Sequence, residues 1–551
     1  MARPANTGAQ LNSTLSARLV CVALAICSPA LGAQSDSAAI LPLDYQFTVD
    51  LPDTGEVIMG DARITLRRRA PADSLTLDLI GLDVQRVDVD ANSVKFRRTD
   101  SAIVIPIPRS TPARFTVRVV YDGAPTDGLI VSKDSAGRWT YFGDNWPTRA
   151  RHWLPTIDRP DAKATVTWTV TAPVGKTIVA NGALIEEHTV TMSQHQRVVS
   201  RWRESKRIAP YLMVIVAAPL VKVDLGESAC GHAEIVSCVR QSVYAEPEQA
   251  KVLPGAFSHA GDIVDFFART VGAFPYEKLA HLQSRTRYGG MENATAIFYA
   301  DGFFHRNGVP EGIIAHETAH QWFGDGVTEK AWPHVWLSEG FATYFAALYT
   351  QHAHGDSAFR VEMSRIRDDI LKDTTAVPTR PVIDTTQPNL LALLNVNSYQ
   401  KGGFVLHMLR TELGDSIFFR GIQDYYAEHK DMNALTDDLR HNLEYVSHRD
   451  LRGFFDQWLR RPGFPELAVS WRYDAQRGTV LSVKQLGRYG LFALTLPVTI
   501  VDNSGARRTI RIAVPATAET SAQLSPAGTR VRDVIIDPDV TVLMRLVQPT
   551  G

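Results

Sequence analysis

Two histidines four positions apart, His316 and His320, with a glutamate at position 317, are the residues whose spacing most clearly implies chemistry. On a helix, positions i and i+4 point the same way, so both imidazoles can grip one ion. Glu317 stands beside the first ligand and can reach a metal-bound water without binding the metal. Zinc needs a third protein ligand if one coordination position is to stay open. Glu339 is the candidate, in the run Trp336-Leu337-Ser338-Glu339-Gly340-Phe341-Ala342, with eighteen residues between it and His320. The expected cofactor is one Zn2+ per chain. A metzincin would carry glycine three positions and histidine six positions after His320. Phe323 and Gly326 stand there instead, which excludes that subclass. By itself the pentad could be a polar helix face. Two histidines and a glutamate crowded on a buried helix, however, need something to pair them.

The elements that must position these groups are legible in outline. Pro310 suits the first turn of a helix and Gly324 its end, so the pentad is expected on a helix over Glu311–Phe323. A second helix is expected over Leu337–Thr350, with Glu339 near its start. Helical spacing also marks Ile263–Thr270, Phe404–Leu413, Asp437–Val446 and Leu451–Leu459. This middle region still holds strand-like text at Ala294–Tyr299. Before it, alternating β-branched residues predict strands, as at Asp61–Leu66, Phe115–Val120 and Ala164–Val170. After Pro465 strands return, among them Leu467–Tyr473, Thr479–Lys484, Leu494–Val501 and Thr509–Val514, which fits a small β-sandwich. The expected organisation is 1–33 targeting segment, 34–220 β-rich domain, 221–463 metal-bearing domain and 464–551 β-sandwich.

At 551 residues the chain is too long for one hydrophobic core. Its composition, 45% hydrophobic and 21% charged, is that of a soluble globular protein. A net charge of -1 offers no global field toward nucleic acid or an anionic membrane, so no nucleic-acid partner is expected. Arg3 and Arg18 precede an apolar run, Leu19–Leu31, followed by the small residues Gly32 and Ala33. That is the layout of a cleaved secretory signal, leaving no stable membrane span, with an uncleaved anchor as the alternative. A lipoprotein reading of Cys27 is discounted because Ile26 precedes it. Export to the periplasm or the medium is therefore expected. Cys230 and Cys238 would remain after cleavage, and an oxidising compartment favours a disulfide between them over two unlinked thiols.

Taken together, the motifs resemble the aminopeptidase N-like family of zinc peptidases, the gluzincin group that includes leukotriene hydrolase. The metal pentad with Glu339 has that family's ligand spacing. Gly289-Gly290-Met291-Glu292-Asn293 looks like its exopeptidase motif, with Gly290 where many members have alanine. Tyr399-Gln400-Lys401-Gly402-Gly403 resembles the segment bearing the catalytic tyrosine. Trp153-Leu154-Pro155 with Asp158-Arg159-Pro160 resembles an N-domain signature, and Trp458 with Gly463 and Pro465 resembles the junction into a third domain. The resemblance implies a multidomain α+β fold: N-terminal β-saddle, thermolysin-like catalytic domain and C-terminal β-sandwich. It implies cleavage of peptides with a free N-terminus. Glu317 would be the general base, Glu292 would bind the α-amine, and Tyr399 would stabilise the oxyanion. Many members add a large C-terminal helical domain; the chain ends before one, so an open substrate channel is expected. One departure concerns the N-domain, where the family often has Gln or Glu as a second amine anchor. Here Asn145 and Trp146 occupy that neighbourhood, and Trp146 either stacks on an apolar substrate side chain or packs in the core. Rival readings are a zinc endopeptidase, a hydrolase of another substrate such as an epoxide, and a non-catalytic peptide-binding protein.

Overall fold

The computed structural model describes residues 39–192, 194–251, 253–306 and 308–548. The targeting segment expected at 1–33 lies outside them. Residues 39 onward form one compact unit, a multidomain α+β fold. Its first part is built on an eight-stranded sheet. Ile40–Asp50 runs through the middle of that sheet, antiparallel to Ile58–Arg68 and parallel to Ala164–Pro173. Alternation decides the faces. Tyr45, Phe47 and Val49 are buried while Gln46 and Thr48 are exposed, the period-two pattern of a half-buried strand. A four-stranded sheet that includes Trp139–Gly143 and Ile215–Ala218 carries the loop with Asn145 and Trp146.

The middle part opens with a five-stranded sheet. It runs Val221–Ser228, Val239–Ala245, Lys278–Ser284, Ala296–Ala300 and, at the edge, the short strand Gly290–Met291. The strand-like text at Ala294–Tyr299 is thus one strand of a sheet larger than the sequence patterns suggested. The main helices among the described residues are α1 (Ala260–Thr270), α2 (Glu311–His320), α3 (Trp336–Lys372), α4 (Gly402–Leu413), α5 (Asp415–His429), α6 (Thr436–Ser447) and α7 (Arg452–Leu459). α2 is shorter than expected, and Pro310 stands just outside it in extended conformation. α3 runs past Thr350. Its backbone breaks at Gly355, where the apolar spacing lapses, and resumes with Phe359, Met363, Ile366 and Ile370 buried on one face. α5 was not among the expected helices, although Phe418, Ile422, Tyr425 and Tyr426 bury one face at helical spacing.

After Pro465 two layers pack on each other, antiparallel except where Glu466–Asp474 pairs in parallel with Arg545–Val547. Four strands, including Glu466–Asp474 and Gly478–Gln485, face three, including Leu494–Val501 and Arg507–Val514. Leu467, Leu481, Leu496 and Val498 fill a separate core between them.

Candidate active site

α2 presents His316 and His320 one turn apart, with their Nε2 atoms 3.2 Å from each other. Glu339, in the first turn of α3, brings its Oε2 to 3.4 Å from both. Tetrahedral zinc with Zn–N of about 2.0–2.1 Å spaces its ligand atoms about 3.3 Å apart. The three donors therefore fit one such ion, and Glu339 Oε2 has no hydrogen-bond partner of its own. His320 is oriented from behind. Its Nδ1 lies 3.1 Å from the Phe323 carbonyl, which can only accept, so that nitrogen carries a proton and Nε2 is the atom turned toward His316 and Glu339. Ser338 Oγ stands 3.0 Å from the same Nδ1. Gly324 makes this possible. Its φ is +121°, and a Cβ there would come within 2.4 Å of Ser338 Oγ.

The electrostatics suit a cation. Burial opposes charge on His320, but the carboxylates of Glu292 and Glu339 outweigh it and push the imidazole well above its ordinary range. Burial likewise raises Glu339, and the two histidines reverse the shift and hold it low. Glu317 is buried beside the triad. Desolvation, with Glu292 and Glu339 adding to it, raises its carboxyl well above the usual value. Oxygens of Glu292 and Glu317 and a ring nitrogen of His320 all lie within 4.8 Å of one another. Gly290 leaves room for this cluster: a Cβ there would stand 2.0 Å from Glu317 Oε1.

The Gly289–Asn293 run forms the edge strand and the turn after it. Gly289 is exposed, while Met291, Glu292 and Asn293 are buried. Gln321, just past α2, ties this turn to the metal helix. Its Nε2 donates to the Glu292 carbonyl at 3.0 Å and its Oε1 accepts from the Thr295 amide at 2.9 Å. Asn293 keeps both side-chain polar atoms unpartnered although fully buried. Tyr399 sits in a wide π-type turn, Asn397–Lys401, that leads into α4. Its ring stacks on His316 with centroids 6.0 Å apart. Burial of the hydroxyl, reinforced by Glu339 and Glu292, lifts its pKa well above that of free tyrosine.

The candidates elsewhere fare differently. Asn145 is fully engaged in structure: its amide donates to the Met213 carbonyl at 2.6 Å and accepts from Trp153 Nε1 at 2.8 Å. No polar atom is left to anchor an amine. Trp146 is packed edge-on against Trp332 and Tyr288 and is 3% exposed, which favours the core reading. Cys230 and Cys238 lie at disulfide distance with Cα atoms 4.1 Å apart. Gln321 and Ser338 are not among the residues singled out from sequence. Each follows a metal-site residue, His320, or precedes one, Glu339, and that adjacency was the available signal.

Residues 256–458 match the model of the peptidase family M1 domain, and residues 41–212 that of the peptidase M1 N-terminal domain. With both parts present in order around this site, the chain belongs to peptidase family M1, a family of metallo-enzymes. Among its relatives is the probable aminopeptidase 1 of Sulfurisphaera tokodaii, 25% identical over 81% of this chain and 56% of the relative. Aminopeptidase N of Streptomyces lividans is 28% identical over 80% of this chain and 52% of its own length. This chain thus spans about half the length of the relatives it matches. A crystal structure of Legionella pneumophila aminopeptidase A in complex with aspartic acid shares the fold, with a TM-score of 0.79 at 17% identity. The likeness covers 94% of this chain and 61% of that one.

Proposed function

We propose that this protein is a zinc-dependent aminopeptidase that removes N-terminal residues from peptides. The observation that carries the reading is the triangle of His316, His320 and Glu339 donors at tetrahedral spacing, with Glu317 beside it and Glu292 closing one end. The names of the relatives support the same reading. Zinc, when bound, polarises the scissile carbonyl and acidifies a water. Glu317 takes the proton from the attacking water and returns it to the leaving amine. Tyr399 donates its hydroxyl to the oxyanion as it forms. Glu292 pairs with the substrate's α-ammonium and so limits how much peptide lies on the non-prime side. That carboxylate favours the exopeptidase over an endopeptidase, and the intact donor set with its base favours an enzyme over a peptide-binding relic. We further propose export, on the leader-like residues 1–33 and the paired Cys230 and Cys238; intact-mass analysis of protein secreted by a host would read the cleavage.

A panel of aminoacyl reporter amides, with and without a chelator and with N-acetylated counterparts, tests the function. Free amides should be cut, the chelator should abolish the reaction, and zinc should restore it. Equal rates on acetylated substrates would end the exopeptidase reading.

A further inference from the structure

Three side chains of the turn Asn397–Lys401 hold it in place, and Tyr399 is not one of them. Asn397, Ser398 and Lys401 are buried, while Tyr399 and Gln400 are partly exposed. Each buried member donates to a backbone carbonyl outside the turn. Asn397 Nδ2 reaches the Arg380 carbonyl at 3.0 Å, and Ser398 Oγ the Leu393 carbonyl at 2.7 Å. Lys401 Nζ reaches the Arg461 carbonyl at 3.3 Å.

Lys401 is the member that packing alone does not explain. Its side chain is 0% exposed, and among the described residues no carboxylate pairs with it. Methionine or leucine would fill the same space without the cost of burying an amine. Burial, with Arg461 adding to it, lowers its pKa to about 7.

The carbonyl it grips is itself fixed from the β-sandwich. Arg461 stands two residues past α7. Its guanidinium donates to the carbonyls of Tyr489 at 3.1 Å and Leu491 at 3.2 Å, and lies 4.7 Å over the Phe492 ring. Phe492 packs on Trp458 of α7 with centroids 5.2 Å apart. Gly463 admits the Tyr489 ring, which a Cβ would meet at 2.1 Å. A continuous tie therefore runs from the sandwich through Arg461 and Lys401 into the turn whose tyrosine stacks on His316.

We propose that Lys401 is a positioning residue for Tyr399: its hydrogen bond to the Arg461 carbonyl anchors the turn to the β-sandwich and sets where the tyrosine hydroxyl stands beside the metal site. This rests on the aminopeptidase reading. The sandwich thereby bears on the reaction through one side chain.

The test is a double-mutant cycle on the zinc-loaded enzyme with Lys401→Met and Tyr399→Phe. Methionine keeps most of the apolar body of the lysine and removes the donor. Lys401→Met should lower kcat on a leucyl reporter amide about tenfold, with KM and zinc affinity within about twofold of wild type. Added to Tyr399→Phe, it should change kcat by less than about twofold, because the hydroxyl through which it acts is gone. An equal fall in both backgrounds would make Lys401 a general structural residue and overturn the proposal, as would an unchanged kcat in the single variant. Should Lys401→Met not fold, Arg461→Met takes its place in the cycle. It keeps Lys401 and loosens the segment that Lys401 grips; a fall of about threefold that vanishes in the Tyr399→Phe background supports the tie, and any other result refutes it. Should wild type cut no amide, the aminopeptidase reading falls by itself. Crystal structures of wild type and the lysine or arginine variant then decide the tie: loss of the Tyr399 stack on His316 supports it, and an unmoved ring refutes it.

Discussion

At the residue scale the site divides into groups whose role follows from local spacing and groups whose role needs contact. His316, Glu317 and His320 share one helix, so their relation is set by 3.6-residue periodicity. Replacing Glu317 by Gln should leave zinc bound and cut kcat by about a thousandfold or more; metal analysis beside a rate assay measures both, and substantial residual turnover would remove its role as base. Tyr399 is different. In the sequence only the following Gln400-Lys401-Gly402-Gly403 run and its place in the chain separate it from a packed core tyrosine; the ring's stack on His316 puts it beside the candidate metal site. Tyr399→Phe should lower kcat by about a hundredfold with KM little changed, and an unaltered kcat would make the residue structural.

At the element scale, the position of Glu339 beside the two histidines depends on how closely two helices cross. Gly340, next to Glu339, meets the backbone of Gly402 and Gly403 at the start of α4. A Cβ on Gly340 would lie 2.9 Å from the Gly402 carbonyl carbon and 3.1 Å from the Gly403 nitrogen. Backbone cannot yield as a side-chain tip can, so Gly340→Ala must push α3 away from α4 and carry Glu339 off the histidines. The expected cost is about 1–3 kcal/mol of stability and about a tenfold or greater loss of zinc affinity. A denaturant titration and a competitive zinc titration read the two; a variant with both values unchanged would mean that the crossing does not hold the ligand. Glycine at 340 and 402 is visible in the sequence, but which helix each touches is not.

At the scale of the whole molecule, the N-terminal β-rich part is fastened to the part that carries the candidate metal site, at the turn after α2. Lys163, in the loop before Ala164–Pro173, sends its ammonium to the carbonyls of Asp325 and Gly326 at 2.9 Å and of Met432 at 3.2 Å. Burial lowers its pKa to about 8, with Asp431 and Asp325 opposing. Lys163→Met should destabilise the protein by about 2–4 kcal/mol, since three buried carbonyls lose their donor. A melting temperature equal to that of wild type would show the clamp to be dispensable. Asp325 also accepts from Gln321, so the clamp connects through that side chain to the turn that carries Glu292.

Sequence by itself determined the order of β-rich, helical and β-rich regions, the helix that bears both histidines, and Glu339 as their partner. Those features rest on periodicities of two and 3.6 residues, which act between near neighbours in the chain. The edge strand at Gly290–Met291, the length of α3 and the presence of α5 depend on what each segment packs against. Only the tertiary structure decided that Asn145 is engaged by Met213 and Trp153, that Gly290 makes room for Glu317, and that Glu329 is buried without a partner. Each of these is a contact between segments distant in sequence, and burial and hydrogen-bond satisfaction exist only once those segments have met.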